Sequence, residues 1–178
     1  MVKKIIFLAF ILSHVFVYAQ EEYSYVDDKG FVIKLGQQAP DFKIVYANGK
    51  SPVKLSDLRG ELVLLQFTAS WCSVCRKEMP HIEKEIWQVY KNKGIHVIGI
   101  DRKEPLDKVK DFAKTMKITY PLALDLNDKI YTSYAHPNSG VTRNVLIDQT
   151  GKIVFLTRLY KKKEFNELIS KIDELINQ

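Results

Sequence analysis

Cysteine is scarce in this chain: its 178 residues include only two, Cys72 and Cys75. A fold held together by several disulfides is therefore excluded, and a hydrophobic core has to stabilise the domain. Long apolar runs are lacking too. The run from Ile5 to Val17, roughly thirteen residues, is too short to cross a bilayer. Repeats, low-complexity stretches and Pro- or Gly-rich linkers are also missing, which favours one domain.

A strong excess of one charge is absent as well. The formal net charge is +6, and the basic residues are spread along the chain. The densest basic run, Lys161 to Lys163, precedes a predicted helix and is typical of a solvated turn. We therefore expect no nucleic-acid partner.

The N-terminus has the pattern of an export signal. Lys3 and Lys4 precede the apolar run, and Val17-Tyr18-Ala19 offers a cleavage site. We expect residues 1–19 to be a signal peptide, Gln20 to begin the mature chain, and the protein to be periplasmic without stable membrane insertion. The alternative is an uncleaved membrane anchor. Cleavage leaves about 159 residues, enough for one domain with a core.

The two cysteines form a Cys72-Ser73-Val74-Cys75 motif at the predicted start of a helix. Thiols in this spacing lie one helical turn apart and can form a disulfide. A disulfide that closes so short a loop stabilises a fold little, so the motif indicates redox chemistry rather than a structural crosslink. In an oxidising compartment, such a pair needs a partner that delivers or removes electrons.

Apolar patterning predicts a polar leader at residues 20–34 and one α/β domain at residues 35–178. A hairpin is predicted around an Ala47-to-Lys50 turn, and Leu62 to Phe67 has the apolar continuity of a strand buried on both faces. Further strands and helices alternate, and a closing hairpin and a C-terminal helix follow. This order predicts a mixed sheet flanked by helices.

The helix N-terminus favours a thiolate on Cys72, because unpaired N–H groups and the positive end of the helix dipole lie there. We expect Cys72 to be the nucleophile and Cys75, one turn deeper, to resolve the mixed disulfide.

The segment from Leu64 to Pro80, which contains Trp71-Cys72-Ser73-Val74-Cys75 and Glu78, resembles the active-site segment of TlpA/ResA-like thiol–disulfide oxidoreductases. The resemblance implies a thioredoxin-like fold with an N-terminal hairpin extension and a mid-chain insertion. It also implies catalysis by Cys72 and Cys75 on protein thiols and disulfides, with the protein acting as a reductant. A membrane electron donor of the DsbD/CcdA type is expected, with a monomeric protein and no cofactor or bound metal.

The resemblance also assigns auxiliary residues. Trp71 matches the aromatic residue that borders the exposed sulfur, and Glu78 matches an acid that tunes thiol protonation. Gln66 stands where thioredoxin has a buried acid, and because an amide cannot relay a proton, Glu78 is the better candidate. Thr142 stands where the family has a cis-proline that faces the disulfide. We expect a trans Val141–Thr142 bond, or a cis bond only under strain, because a cis bond before a non-proline residue costs about 3–4 kcal/mol.

Two other functions are compatible with parts of this pattern. Copper or zinc could bind the two thiolates together with His81, His96 or His136, although none of these has a ligand-type spacing. A peroxidase of the peroxiredoxin type shares the fold and lacks the cis-proline, but it needs a threonine where this chain has Ala69.

Overall fold

The structure is a computed structural model that describes residues 27–178. The expected signal peptide at 1–19 and the first part of the expected leader lie outside the described residues. Within 27–178, no helix is long and apolar enough to cross a membrane.

The described residues, 27–178, form seven strands and five helices. The strands are β1 (Lys43–Ile44), β2 (Val53–Lys54), β3 (Leu62–Thr68), β4 (Ile95–Arg102), β5 (Leu122–Asp125), β6 (Arg143–Ile147) and β7 (Ile153–Arg158). The helices are α1 (Ser73–His81), α2 (Gln88–Tyr90), α3 (Leu106–Met116), α4 (Lys129–Tyr134) and α5 (Lys162–Ile176). A 3₁₀ turn spans Leu55–Leu58, and a π-helical segment, Ile82–Trp87, joins α1 to α2 directly after Pro80.

The main sheet has the order β5-β4-β3-β6-β7, and β1 and β2 form a separate hairpin. Strands β3, β4 and β5 run parallel to one another, whereas β6 and β7 are antiparallel to their neighbours. The predicted mixed sheet, hairpin extension and mid-chain insertion are therefore confirmed. Helix α3 and strand β5 form the inserted pair.

Both faces of the sheet are buried, as the apolar continuity of β3 predicts. One face packs against α1, α3 and α5 through residues such as Met79, Phe112 and Leu168. The other face packs against α4 and the N-terminal segment. Phe31 and Ile33, which fall in the expected leader, are both buried in this second cluster.

The N-terminal segment also covers sheet edges. Gln38 forms a β-bridge with Lys152 at the start of β7, and Tyr46 forms one with Ala123 of β5. Hydrogen bonds from the Ala47 amide to Leu122 and from the Leu124 amide to Val45 extend the second contact. Backbone groups at an open edge would otherwise be available to other chains.

Asp101, near the end of β4, is a buried carboxyl with no exposed surface. Among the described residues, no donor reaches either of its oxygens. Burial, followed by the charge of Glu104, raises its pKa to about 8. An acid whose pKa is higher in the folded state binds a proton on folding, so stability falls as pH rises between the unfolded and folded pKa values.

We expect Asp101→Asn to stabilise the protein at pH 7–8 and to have little effect below about pH 3, where Asp101 is mostly protonated in both states. The gain should be several degrees in Tm, since about 1 kcal/mol shifts a domain of this size by about 2–4 °C. Denaturant unfolding at several pH values measures the corresponding change in the free energy of unfolding. Asp111→Asn, at an exposed position on α3, is the matched control. If the difference in the free energy of unfolding between Asp101→Asn and the wild type did not vary with pH, Asp101 would not have a raised pKa in the folded protein.

Candidate active site

The two cysteines are joined in a disulfide at the N-terminus of α1, with their Cα atoms 5.3 Å apart. Cys72 caps the helix, and its sulfur accepts the backbone N–H of Cys75 at 3.0 Å. The Cys72 sulfur therefore lies at the positive end of the helix dipole, where a thiolate is favoured.

The two sulfurs differ in access. Cys72 retains 6% of its surface and Cys75 none. Trp71, immediately before the pair, is 63% exposed. An incoming sulfur atom therefore has a route to Cys72, beside an exposed indole, and no route to Cys75.

The loop that leads into Cys72 is held by charged side chains. Glu104 accepts hydrogen bonds from the backbone N–H and the hydroxyl of Ser70, the latter at 2.7 Å. Arg76 donates from Nε to the Ser70 carbonyl at 2.7 Å, and Lys108 pairs with Glu104 at 2.6 Å. Burial opposes ionisation of Glu104, but the contacts with Lys108 and Ser70 lower its pKa, so it accepts these bonds as a carboxylate.

Glu78 lies one turn beyond Cys75 and is 1% exposed. Its Oε2 accepts from Gln66 Nε2 at 3.0 Å and from the Thr142 hydroxyl at 2.7 Å. Its Oε1 accepts from Asn144 Nδ2 at 2.7 Å. We call Gln66, Thr142 and Asn144 the Glu78 clamp.

The pairing of β3 with β6 explains why Gln66 and Asn144 both reach Glu78. Gln66 of β3 is the direct partner of Asn144 of β6, so both side chains project from the face that carries α1. Asn144 Nδ2 also donates to Thr157 of β7 at 2.9 Å. Burial raises the pKa of Glu78, whereas the three clamp donors oppose that rise because they stabilise the carboxylate.

The loop before β6 approaches the disulfide. The Val141 carbonyl oxygen lies 3.6 Å from Cys72 Sγ, and Thr142 is fully buried. The Val141–Thr142 peptide is cis, so the expected trans bond is wrong. The local cost of a cis bond cannot account for contacts with distant residues. The Thr142 hydroxyl donates to Glu78, and the Thr142 carbonyl accepts from the amide of Leu159.

The three histidines considered as metal ligands lie apart and have other partners. His81 contacts Glu85 at 2.6 Å, His96 contacts Glu61 at 3.0 Å, and His136 accepts the Asn138 amide. Residues 27–178 contain no group of three His, Cys, Asp or Glu side chains placed to hold a metal ion.

Sequence patterns identify Trp71, Cys72, Cys75, Glu78 and Thr142, and the structure brings the last four together, with Trp71 at the surface beside them. Asn144 and Tyr120 were missed. Tyr120 donates to Gln66 Oε1 at 2.8 Å behind the clamp. Gln66 and Asn144 are polar residues inside strands that are otherwise mostly apolar and buried. Such a residue needs a buried hydrogen-bond partner, and this pattern could have indicated the clamp from the sequence.

Comparison with known proteins agrees with this geometry. Residues 35–156 match the AhpC/TSA family. The thiol-disulfide oxidoreductase ResA of Bacillus cereus is 36% identical over 122 residues, which are 68% of this chain and 68% of that protein.

Solved structures show the same relationship. A Bacteroides thetaiotaomicron protein, provisionally described as a protein disulfide isomerase, has a TM-score of 0.80 at 53% identity, covering 84% of this chain and 94% of that one. A Chlorobium tepidum protein, provisionally described as the thiol:disulfide interchange protein DsbE, has a TM-score of 0.69 at 26% identity, covering 81% and 99%.

A helix-capping, partly accessible cysteine bonded to a buried one on this fold is the arrangement that thiol–disulfide exchange requires. Together with the sequence matches, it shows that the chain belongs to the AhpC/TSA family and is a thioredoxin-fold thiol–disulfide oxidoreductase of the ResA-like group.

Proposed function

We propose that this protein is an exported, periplasmic reductant of protein disulfides, with Cys72 as the nucleophile, Cys75 as the resolving thiol and Glu78 as the proton acceptor. The observation that carries the assignment of roles is the difference in access. Cys72 caps the helix and reaches the surface, whereas Cys75 is fully buried one turn below it.

The reaction begins with the dithiol form. The Cys72 thiolate attacks one sulfur of a client disulfide, which forms a mixed disulfide and releases one client thiolate. Cys75 then loses its proton to Glu78 and attacks the Cys72 sulfur. The Cys72–Cys75 disulfide forms, and the second client sulfur leaves as a thiolate. The client gains two electrons and the protein loses two.

Glu78 suits the proton-accepting role because it is buried one turn beyond Cys75 and the three clamp donors stabilise its ionised form. Burial raises its pKa toward the range in which a group can both take up and return a proton. Trp71 offers an exposed aromatic surface beside Cys72, against which a client chain can pack.

Export and electron supply complete the proposal. The N-terminal pattern supports a signal peptide at 1–19, and an oxidising compartment requires that electrons reach the disulfide from a partner. A membrane donor of the DsbD/CcdA type fits this need, and the protein works as a monomer. We propose that the leader, residues 20–34, connects the cleavage site to the domain and that its last part, with Phe31 and Ile33, belongs to the domain core.

Replacing Cys75 with Ser should trap mixed disulfides, because Cys72 can still attack a client but nothing can resolve the product. Replacing Cys72 with Ser should abolish exchange. Non-reducing gels and mass spectrometry of captured adducts measure both effects. If alkylation of the reduced protein modified Cys75 faster than Cys72, the two roles would have to be exchanged. Fast reaction of Cys72 with hydrogen peroxide would instead favour the peroxidase alternative.

The midpoint potential of the pair should lie nearer that of thioredoxin, about −270 mV, than that of DsbA, about −120 mV. A carboxylate near the thiols disfavours the thiolate that makes a pair strongly oxidising. Equilibration with glutathione buffers measures the potential. A value above about −150 mV on this scale would contradict a reductant role.

Replacing Glu78 with Gln should lower the pKa of Cys75 in the reduced protein, because a neutral amide no longer disfavours the thiolate. The thiolate absorbance of a Cys72→Ser background, followed against pH, isolates Cys75. Glu85→Gln, whose carboxylate bonds to His81 and Lys162, is the control further along the same helix. Unchanged titration in the Glu78 variant would leave Glu78 with a structural role alone.

A further inference from the structure

Tyr120 lies behind the Glu78 clamp, in the connection between α3 and β5. It is 2% exposed and packs in the cluster that also contains Met79 of α1. Its hydroxyl donates to Gln66 Oε1 at 2.8 Å, and Gln66 Nε2 donates in turn to Glu78 Oε2 at 3.0 Å. The mechanism above assigns no part to Tyr120.

The Gln66 amide is the adjustable member of the clamp. Its side chain can present either an oxygen or an NH₂ group to Glu78, and only the NH₂ group can donate to a carboxylate. With no donor on its oxygen, a buried amide leaves an acceptor unsatisfied, which costs free energy and weakens the preference for this orientation. A donor on the far side of Gln66 therefore adds to the preference for the orientation in which Nε2 faces Glu78.

The Tyr120 hydroxyl is that donor. Burial raises the pKa of Tyr120 well above its ordinary value, and the charge of Glu78 adds to the effect, so the hydroxyl keeps its proton. A protonated hydroxyl directed at Oε1 leaves Nε2 pointing at the carboxylate. Besides Tyr120, the titratable group whose charge acts on Glu78 is His81, on the same helix.

We infer that Tyr120 is a positioning residue for the exchange reaction: through Gln66, its hydroxyl holds an N–H donor on the Glu78 carboxylate. The inference rests on the proposed role of Glu78, and it adds to the site a residue from the inserted α3–β5 unit. A hydroxyl two contacts away thus helps to stabilise the ionised form of Glu78 against the effect of burial.

The test is a pH titration of the Glu78 side-chain carboxyl by carbon-13 NMR in the oxidised protein, where neither cysteine titrates. Tyr120→Phe removes one oxygen atom and should raise the proton affinity of Glu78 about 3- to 10-fold, the size of a net hydrogen-bond contribution. Tyr90→Phe is the matched control, because the Tyr90 hydroxyl bonds to Asp173, remote from the clamp.

A second background distinguishes positioning through Gln66 from general loosening of the core. In Gln66→Met, which keeps the length of the side chain without the amide, Tyr120→Phe should cause no further shift. No shift from Tyr120→Phe in the wild-type background would overturn the inference, and an equal shift in both backgrounds would also overturn it.

The two proposals can fail separately. If Glu78→Gln leaves the Cys75 titration unchanged, the proton-accepting role of Glu78 fails, even where Tyr120→Phe shifts the carboxyl. If Glu78→Gln lowers the pKa of Cys75 and Tyr120→Phe leaves the pKa of Glu78 unchanged, only the positioning role of Tyr120 fails.

Discussion

Burial of the Glu78 carboxylate depends on three donors that reach it from separate parts of the chain. Gln66 comes from β3, Thr142 from the loop that faces the disulfide, and Asn144 from β6. A buried carboxylate without such donors would be expected to take up a proton. Strand β3, strand β6 and the loop before β6 therefore have to come together for this carboxylate to be buried with all three of its donors in place.

Sheet register is the constraint behind this assembly. Gln66 faces Asn144 across β3 and β6, and Asn144 faces Thr157 across β6 and β7. Side chains alternate between the two faces of a strand, so a slip of one residue would turn Gln66 or Asn144 away from α1 and remove a clamp donor. The pairing of β3, β6 and β7 therefore determines which donors reach Glu78 and so affects its pKa.

Sequence patterns predict the local parts of this arrangement well. The buried strand before Cys72, the helix that it caps and the position of Glu78 on that helix all follow from spacing within one short segment. The non-local parts were harder to predict, because the pairing of Gln66 with Asn144 depends on how distant strands align. Tyr120 was missed for the same reason, and the cis bond at Thr142 opposes the local energetic preference. Phe31 and Ile33 were likewise predicted to lie in a polar leader, because most of their neighbours in sequence are polar, although both enter the core.

The N-terminal segment has a consequence for how the protein handles its clients. Thiol–disulfide exchange brings the protein into contact with other polypeptide chains, and an unpaired strand of another chain can add to an open sheet edge. In this molecule Val45 to Ala47 occupy the edge at β5, and Gln38 occupies the start of the edge at β7. The sheet therefore leaves less open edge, at β5 and at the start of β7, to which a strand of another chain could add.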